Sequence, residues 1–289
     1  MSSLKGKMKK TDLGFRKKIL SIQSRLVCGY VGNNIAELAI QLHGLDVIAF
    51  PSVLFSTHTG ISRIYGSATS KALFDELVEG IKAINVIKDV NNIITGYIGT
   101  PEIVESSAQF IKHIKDQYPD RLYICDPVMG DFDQGMYVSE EVEKSISEYL
   151  IPLADVMTPN HFELKRLLKS DADTVDSILE AVVANPLLSE KKIIVTGCIL
   201  KDTPADIIDM LVIQNGHADR ISSPKLDIAM VGAGDLFTAI ISVQLAKGAD
   251  LLRATELASE SLYRALVYSK ERGVMEMNSE CLLHCLNLG

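Results

Sequence analysis

The chain has 289 residues, of which 47% are hydrophobic and 23% charged, with a net charge of −8. This is ordinary globular usage with enough apolar residues for a sizeable core, and it excludes long disorder. The negative balance argues against a nucleic-acid partner, whose phosphates it would repel.

The one basic run (Lys5, Lys7, Lys9, Lys10, Arg16, Lys17 and Lys18) lies in a polar leader. It lacks the apolar segment of a signal peptide, so residues 1–17 are expected to form a solvated tail. No apolar stretch approaches the ~18 residues needed to cross a bilayer, so no membrane partner is expected. Cys28, Cys125, Cys198, Cys281 and Cys285 are an odd set without a C-x-x-C pair, which fits reduced thiols in a cytoplasm.

Residues 19–23 read as a first strand, 33–43 as a helix closed by Gly44, and 47–50 as the next strand, a βαβ opening. Residues 52–67 are rich in Ser, Thr and Gly and too long for an ordinary connection. They are expected to form a small lid, partly β-like at 53–55. Thr69 or Ser70 is expected to cap a helix with Leu73, Leu77, Ile81 and Ile84 on its buried stripe, followed by a strand at 93–97. Pro101 opens another helix, where its missing N–H costs nothing.

Apolar strands at 122–125, 155–158 and 193–196 each end at polar residues, with helical segments between them. Strands of this kind are buried on both faces, so the expected fold is α/β, a mostly parallel central sheet between two helical layers. Past a strand at 209–213 the chain turns at Gly232-Ala233-Gly234-Asp235 and finishes with helices at 235–247 and 251–270. No linker or repeat interrupts this alternation, so residues 18–289 are expected to be one domain.

In open α/β sheets ligands bind beyond the carboxyl ends of the strands, where the polar motifs here fall. The Gly232 turn places backbone N–H groups at a helix start, where they and the dipole favour an anion. Asp235 then either faces a substrate hydroxyl beside that anion or simply caps the helix. No G-x-x-x-x-G-K-[ST] is present, and the turn lacks the third glycine of G-x-G-x-x-G, which weakens P-loop and dinucleotide readings. Asp126 and Asp131 at one strand end, with Asn160 and Glu163 at another, form an oxygen-rich set suited to hydrated Mg²⁺ bridging to phosphates. The alternative is a helix cap at Asn160 and a solvated Glu163.

Ser21-Ile22-Gln23-Ser24, Gly29-Tyr30-Val31-Gly32-Asn33, Phe55-Ser56-Thr57-His58-Thr59-Gly60, Thr95-Gly96-Tyr97, Cys125-Asp126-Pro127-Val128-Met129-Gly130-Asp131, Thr158-Pro159-Asn160 with Glu163, and Gly232-Ala233-Gly234-Asp235 follow one another in the chain. Together they resemble the pyridoxal kinase family of the ribokinase-like superfamily, over nearly all of residues 18–270. The resemblance implies a three-layer α/β/α sandwich with a small lid, working as a homodimer. It also implies ATP-dependent phosphorylation of the 5′-hydroxymethyl of vitamin B6, with Mg²⁺ and a monovalent cation such as K⁺.

By position, the resemblance makes Ser24 and Thr59 hydrogen-bond partners of the ring substituents, with Val53, Phe55 and Tyr97 packed near the ring. Asp235 would be the catalytic base beside an anion hole at Gly232, Ala233 and Gly234. Asp126, Asp131, Asn160 and Glu163 would organise metal and triphosphate. Thr158 and Thr196 would lie near the phosphates or the monovalent cation, Thr158 as a metal ligand, with Gly197 also on the nucleotide. Leu226, Asp227 and Ile228 would border the adenine.

Three positions depart from the family pattern: Ala233 replaces the usual Thr, Ile61, Ser62, Arg63 and Ile64 replace lid aromatics, and Gly197 replaces a polar residue. Two rivals share these features. A hydroxymethylpyrimidine kinase is disfavoured by Ser24 and residues 56–60, and a non-catalytic B6-binding protein is motivated by Ala233 and the altered lid.

Overall fold

The computed structural model describes residues 17–58, 63–228 and 230–285. The leader to residue 16, and Thr59, Gly60, Ile61 and Ser62 of the expected lid, lie outside the described residues. In chain order the elements begin with β1 (Lys18–Leu26), α1 (Asn33–Leu42), β2 (Asp46–Phe55), β3 (Gly66–Ala68), α2 (Lys71–Ala83), β4 (Val90–Thr95), α3 (Pro101–Gln117) and β5 (Leu122–Cys125). A small hairpin of β6 (Gly130–Asp131) and β7 (Gly135–Met136) precedes α4 (Glu140–Ser145), β8 (Val156–Met157), α5 (His161–Leu168), α6 (Val175–Ala184) and β9 (Lys192–Cys198). The chain closes with β10 (Ile207–Gln214), β11 (His217–Pro224), α7 (Ala233–Ala246), α8 (Leu251–Arg272) and α9 (Ser279–Cys285).

The main sheet has nine strands in the order β11-β10-β9-β8-β5-β4-β1-β2-β3. All neighbours from β9 to β2 are parallel, and β10, β11 and β3 are antiparallel additions at the edges. Alternate residues of each central strand enter different cores, as the two-residue period of a strand requires. Ile22, Ile93 and Ile193 join Phe74, Phe110, Leu164 and Ile178 on one face. Ile19, Ile94 and Ile194 join Ile40, Phe237, Ile241 and Ala258 on the other. This is the three-layer α/β/α arrangement expected from the sequence.

Two elements depart from their expected form. The strand expected at 47–50 continues to Phe55, through Pro51 and into the region read as lid. Its pairing with β1 slips after Gln23, and a proline is tolerated at such an irregularity because the ladder hydrogen bond it cannot donate is already disrupted there. In α2, capped by the Ser70 side chain, the buried residues are Phe74 and Val78, while Leu73, Leu77 and Ile84 are exposed. The helix is therefore rotated by about one residue from the expected stripe, because Phe74 fills the space against Phe50 with ring centroids 5.4 Å apart.

Among the described residues no helix is long and apolar enough to cross a membrane. Four of the five cysteines are buried free thiols, and burial pushes Cys125 and Cys198 up to about 12, which leaves them unreactive at neutral pH.

Candidate active site

Ser24, Asp126, Thr158 and Thr196 lie at or just past the carboxyl ends of β1, β5, β8 and β9. At the centre, the chain enters α7 through Gly232 at φ 87°, a left-handed conformation that favours glycine. A Cβ there would stand 2.2 Å from the Tyr30 carbonyl oxygen, so the turn packs directly on the loop after β1. No side chain caps α7. Its first-turn N–H groups are thus left for an anion, and the methyl of Ala233 removes none of them.

Asp235 lies in that first turn. Gly232, not Asp235, is the N-cap residue, and the Gly32 N–H from the loop before α1 lies beside the Asp235 carboxylate and favours its ionised form. Burial pushes the Asp235 pKa up to about 6, with the Gly32 N–H opposing the rise. An acid tuned to that range is ionised at neutral pH yet basic enough to take a proton. Gly32 has φ 54° and ψ −133°, and a Cβ on it would lie 2.2 Å from Ser24 Oγ. The Gly32 turn therefore packs closely on Ser24 and lies beside Asp235.

Val53 is fully buried, Val53 and the Tyr97 ring both lie beside Gly99, and Ser52 Oγ donates to the Tyr97 carbonyl at 2.6 Å. Phe55 is half-buried at the end of β2. Thr59 lies outside the described residues, but its neighbour His58 reaches Glu276 at 3.5 Å. Glu276 also bridges to Val231, the residue before the Gly232 turn.

On the other side of Asp235, Asp126 follows β5 and Glu163 opens α5. Asn160 and Glu163 form a reciprocal capping box: Asn160 Oδ1 accepts the Glu163 N–H at 2.9 Å, and Glu163 Oε2 accepts the Asn160 N–H at 2.8 Å. Both also grip the loop after β5. Glu163 Oε1 accepts the Met129 N–H at 2.9 Å, and Asn160 Nδ2 donates to the Gly130 carbonyl at 2.8 Å. The cap expected as the alternative for Asn160 is thus real, whereas Glu163 is buried rather than solvated. Burial pushes Glu163 up to about 7, and burial, then the charges of Glu163 and Asp235, push Asp126 well above the usual carboxylate range.

Asp131 ends β6, and its carboxylate accepts the Asp133 and Gln134 N–H groups of the β6–β7 turn and the Tyr137 hydroxyl. Asp131 therefore holds its own turn, and its charge also acts on Glu163. Thr196 is tied to the start of α5 by its N–H on the Pro159 carbonyl at 2.9 Å, and Gly197 follows at φ 63° with open space around it. After β11, Ile228 N–H bonds the Leu226 carbonyl in a tight turn that leaves Asp227 exposed.

Among the described residues no three His, Cys, Asp or Glu side chains converge to hold a metal ion unaided. Asp126 and Glu163 nevertheless fit a hydrated divalent cation. Each carboxylate destabilises the other's charge, and Mg²⁺ needs only one or two carboxylates when water and substrate phosphates complete its shell.

The sequence reading missed two residues here. Thr238 Oγ1 donates to Asp126 Oδ2 at 3.2 Å and lies 3.0 Å from Thr158 Oγ1. Its position one turn after Asp235, among apolar neighbours, was the available signal. Gly32 stands in the sequence only as part of a motif, although its N–H favours the ionised form of Asp235.

The pattern of the phosphomethylpyrimidine kinase family matches residues 64–278. A pyridoxine/pyridoxal/pyridoxamine kinase of Bordetella avium is 34% identical over 254 residues, covering 87% of this chain and 85% of the relative. The fold is similar to the crystal structure of pyridoxal kinase from Entamoeba histolytica, with a TM-score of 0.85, 26% identity and coverage of 94% and 96% of the two chains. It is also similar to pyridoxal kinase from Leishmania donovani in complex with ADP and pyridoxine, with a TM-score of 0.83, 30% identity and coverage of 93% and 96%.

Proposed function

The chain belongs to the phosphomethylpyrimidine kinase family, and on that footing we propose that it is a pyridoxal kinase. It moves the γ-phosphoryl group of ATP to the 5′-hydroxymethyl of pyridoxal, pyridoxine or pyridoxamine. The observation that carries this reading is the Asp235 carboxylate, raised to about 6, in the first turn of a helix whose N–H groups no side chain caps.

In the transfer, the substrate hydroxyl oxygen attacks the γ-phosphorus while its proton passes to Asp235. The bond to the oxygen bridging the β- and γ-phosphorus breaks, and ADP leaves. The first-turn N–H groups from Ala233 onward oppose the charge that develops on the transferring group. Ser24, Val53, Phe55, Thr59 and Tyr97 form the ring side of the site. Asp126, Thr158, Asn160, Glu163, Thr196 and Gly197 form the nucleotide side, and Leu226, Asp227 and Ile228 border the adenine. Asp126 and Glu163 would hold Mg²⁺, and Thr158 and Thr196 would face a monovalent cation such as K⁺. Bound there, a cation supplies positive charge to the phosphates.

The test is ATP-dependent phosphorylation of the three B6 vitamers and of hydroxymethylpyrimidine, with and without K⁺. Phosphorylation of hydroxymethylpyrimidine alone would overturn the substrate assignment. In the same assay kcat/KM is expected to rise with pH through about 6, because Asp235 must be ionised to accept the proton. A profile flat across that range would remove Asp235 as the base.

Residues 18–289 act as one cytoplasmic kinase domain in this reading, and two chains pair. Support for pairing comes from exposed apolar side chains: Leu73 and Leu77 on α2, Ile84 just after it, Leu54 in β2 and Tyr65 before β3. Sedimentation of the full chain is expected to give a dimer that Leu73→Glu with Leu77→Glu converts to a monomer. A monomeric parent chain would refute it.

A further inference from the structure

We propose that Thr238 is a positioning residue for the nucleotide side of the site, fixing the Asp126 carboxylate and the direction in which Thr158 offers its proton. The proposal rests on the kinase reading above. Thr238 is 2% exposed, and its helical neighbours Phe237, Ala239, Ile240 and Ile241 are buried and apolar. A threonine inside a helix commonly returns its proton to a carbonyl one turn back. Thr238 instead hydrogen-bonds across to two other elements, Asp126 after β5 and Thr158 after β8.

Proton counting sets the polarity of this chain of groups. A hydroxyl has one proton and two lone pairs, and a carboxylate can only accept. With Asp126 ionised, as a cation beside it would keep it, the Thr238 proton goes to Asp126 Oδ2, and the contact at 3.0 Å then requires Thr158 to donate to Thr238. The one proton of Thr158 is thereby committed inward. Towards the nucleotide, Thr158 has only lone pairs left, which suit a cation or a water molecule and oppose a phosphate oxygen.

Without the Thr238 hydroxyl, Thr158 regains a free proton and the Asp126 carboxylate loses its fixed partner. Both changes fall on the nucleotide side. Ser24, Val53 and Tyr97 are held by the separate contacts through Gly32 and Gly99.

The experiment compares Thr238→Val, Thr238→Ala and Thr238→Ser in the full chain, measuring calorimetric ADP affinity in Mg²⁺ buffer with and without K⁺, and steady-state KM for Mg·ATP and for pyridoxal. Valine and alanine, which delete the hydroxyl with and without keeping the side chain's bulk, are expected to weaken ADP binding by about 10–100-fold and to raise the Mg·ATP KM alike, as loss of a partner to a ligating group does. The pyridoxal KM should stay at the parental value, and serine should restore parental ADP affinity. Parental ADP affinity in Thr238→Val overturns the proposal. So does a serine variant as weak as the valine one, which would assign the effect to packing, or a parallel rise of both KM values. A parent chain that phosphorylates no vitamer would refute the kinase reading, while the ADP arm would still decide the role of Thr238.

Discussion

Asp235→Asn is expected to lower turnover by about 10²–10⁴-fold while leaving ADP and pyridoxal binding near parental values. Asparagine keeps an acceptor for the Gly32 N–H and the shape of the side chain, so the turn at Gly232 should persist. Only the proton acceptor is lost. The same substitution has a stability signature of known sign. The folded-state pKa of Asp235, about 6, lies above the unfolded value of about 3.9, so the folded chain holds this proton more tightly. The stabilising contribution of proton binding is complete below the unfolded pKa and is lost as the pH rises through about 6. At pH 8 the parent therefore carries an ionised, poorly solvated carboxylate that the variant lacks. Thermal unfolding at pH 8 should show the variant at least as stable as the parent. A variant with parental phosphorylation rates would dismiss Asp235 as the base.

Gly32→Ala is expected to reduce turnover by about 100-fold or more, because displacing a catalytic group by about 1 Å has that effect. The added Cβ would stand 2.2 Å from Ser24 Oγ and 2.5 Å from the Ser24 carbonyl oxygen, and the second of these is backbone that cannot rotate away. The φ of 54° with ψ −133° adds strain for any residue with a Cβ. The loop must move, and the N–H beside Asp235 moves with it. Chemical denaturation should show a loss of about 1–3 kcal/mol for the strained conformation. Parental turnover in Gly32→Ala would show that the loop does not position the base.

Much of the fold was legible in the sequence because strands buried on both faces leave unbroken apolar runs, and β1, β5 and β9 were found that way. β2 was cut short because proline ordinarily ends a strand, and only the pairing slip beside Gln23 shows why Pro51 is tolerated. The face of α2 was misread because Leu73 and Phe74 are both apolar, and tertiary packing on Phe50 decided between them. In the site, Asp126, Asn160, Glu163 and Asp235 follow strand or turn motifs that announce themselves locally. Thr238 does not, since its partner Asp126 lies 112 residues away in the chain and a single hydroxyl among apolar neighbours carries no local pattern. Gly32 is similar: its conformation can be guessed from a βα turn, but its approach to Asp235 exists only in three dimensions.

The turn at Gly32 also limits how such an enzyme can be redesigned. A larger residue at position 24, introduced to accept a different ring substituent, would press on the same turn whose N–H lies beside Asp235. If Ser24 and Asp235 have the roles proposed above, substrate choice and chemical rate are not independently adjustable from position 24. A library that varies this position for specificity would need compensating variation in the loop at residues 29–32. Variants selected for a new vitamer without it should first appear as slow enzymes rather than as indiscriminate ones.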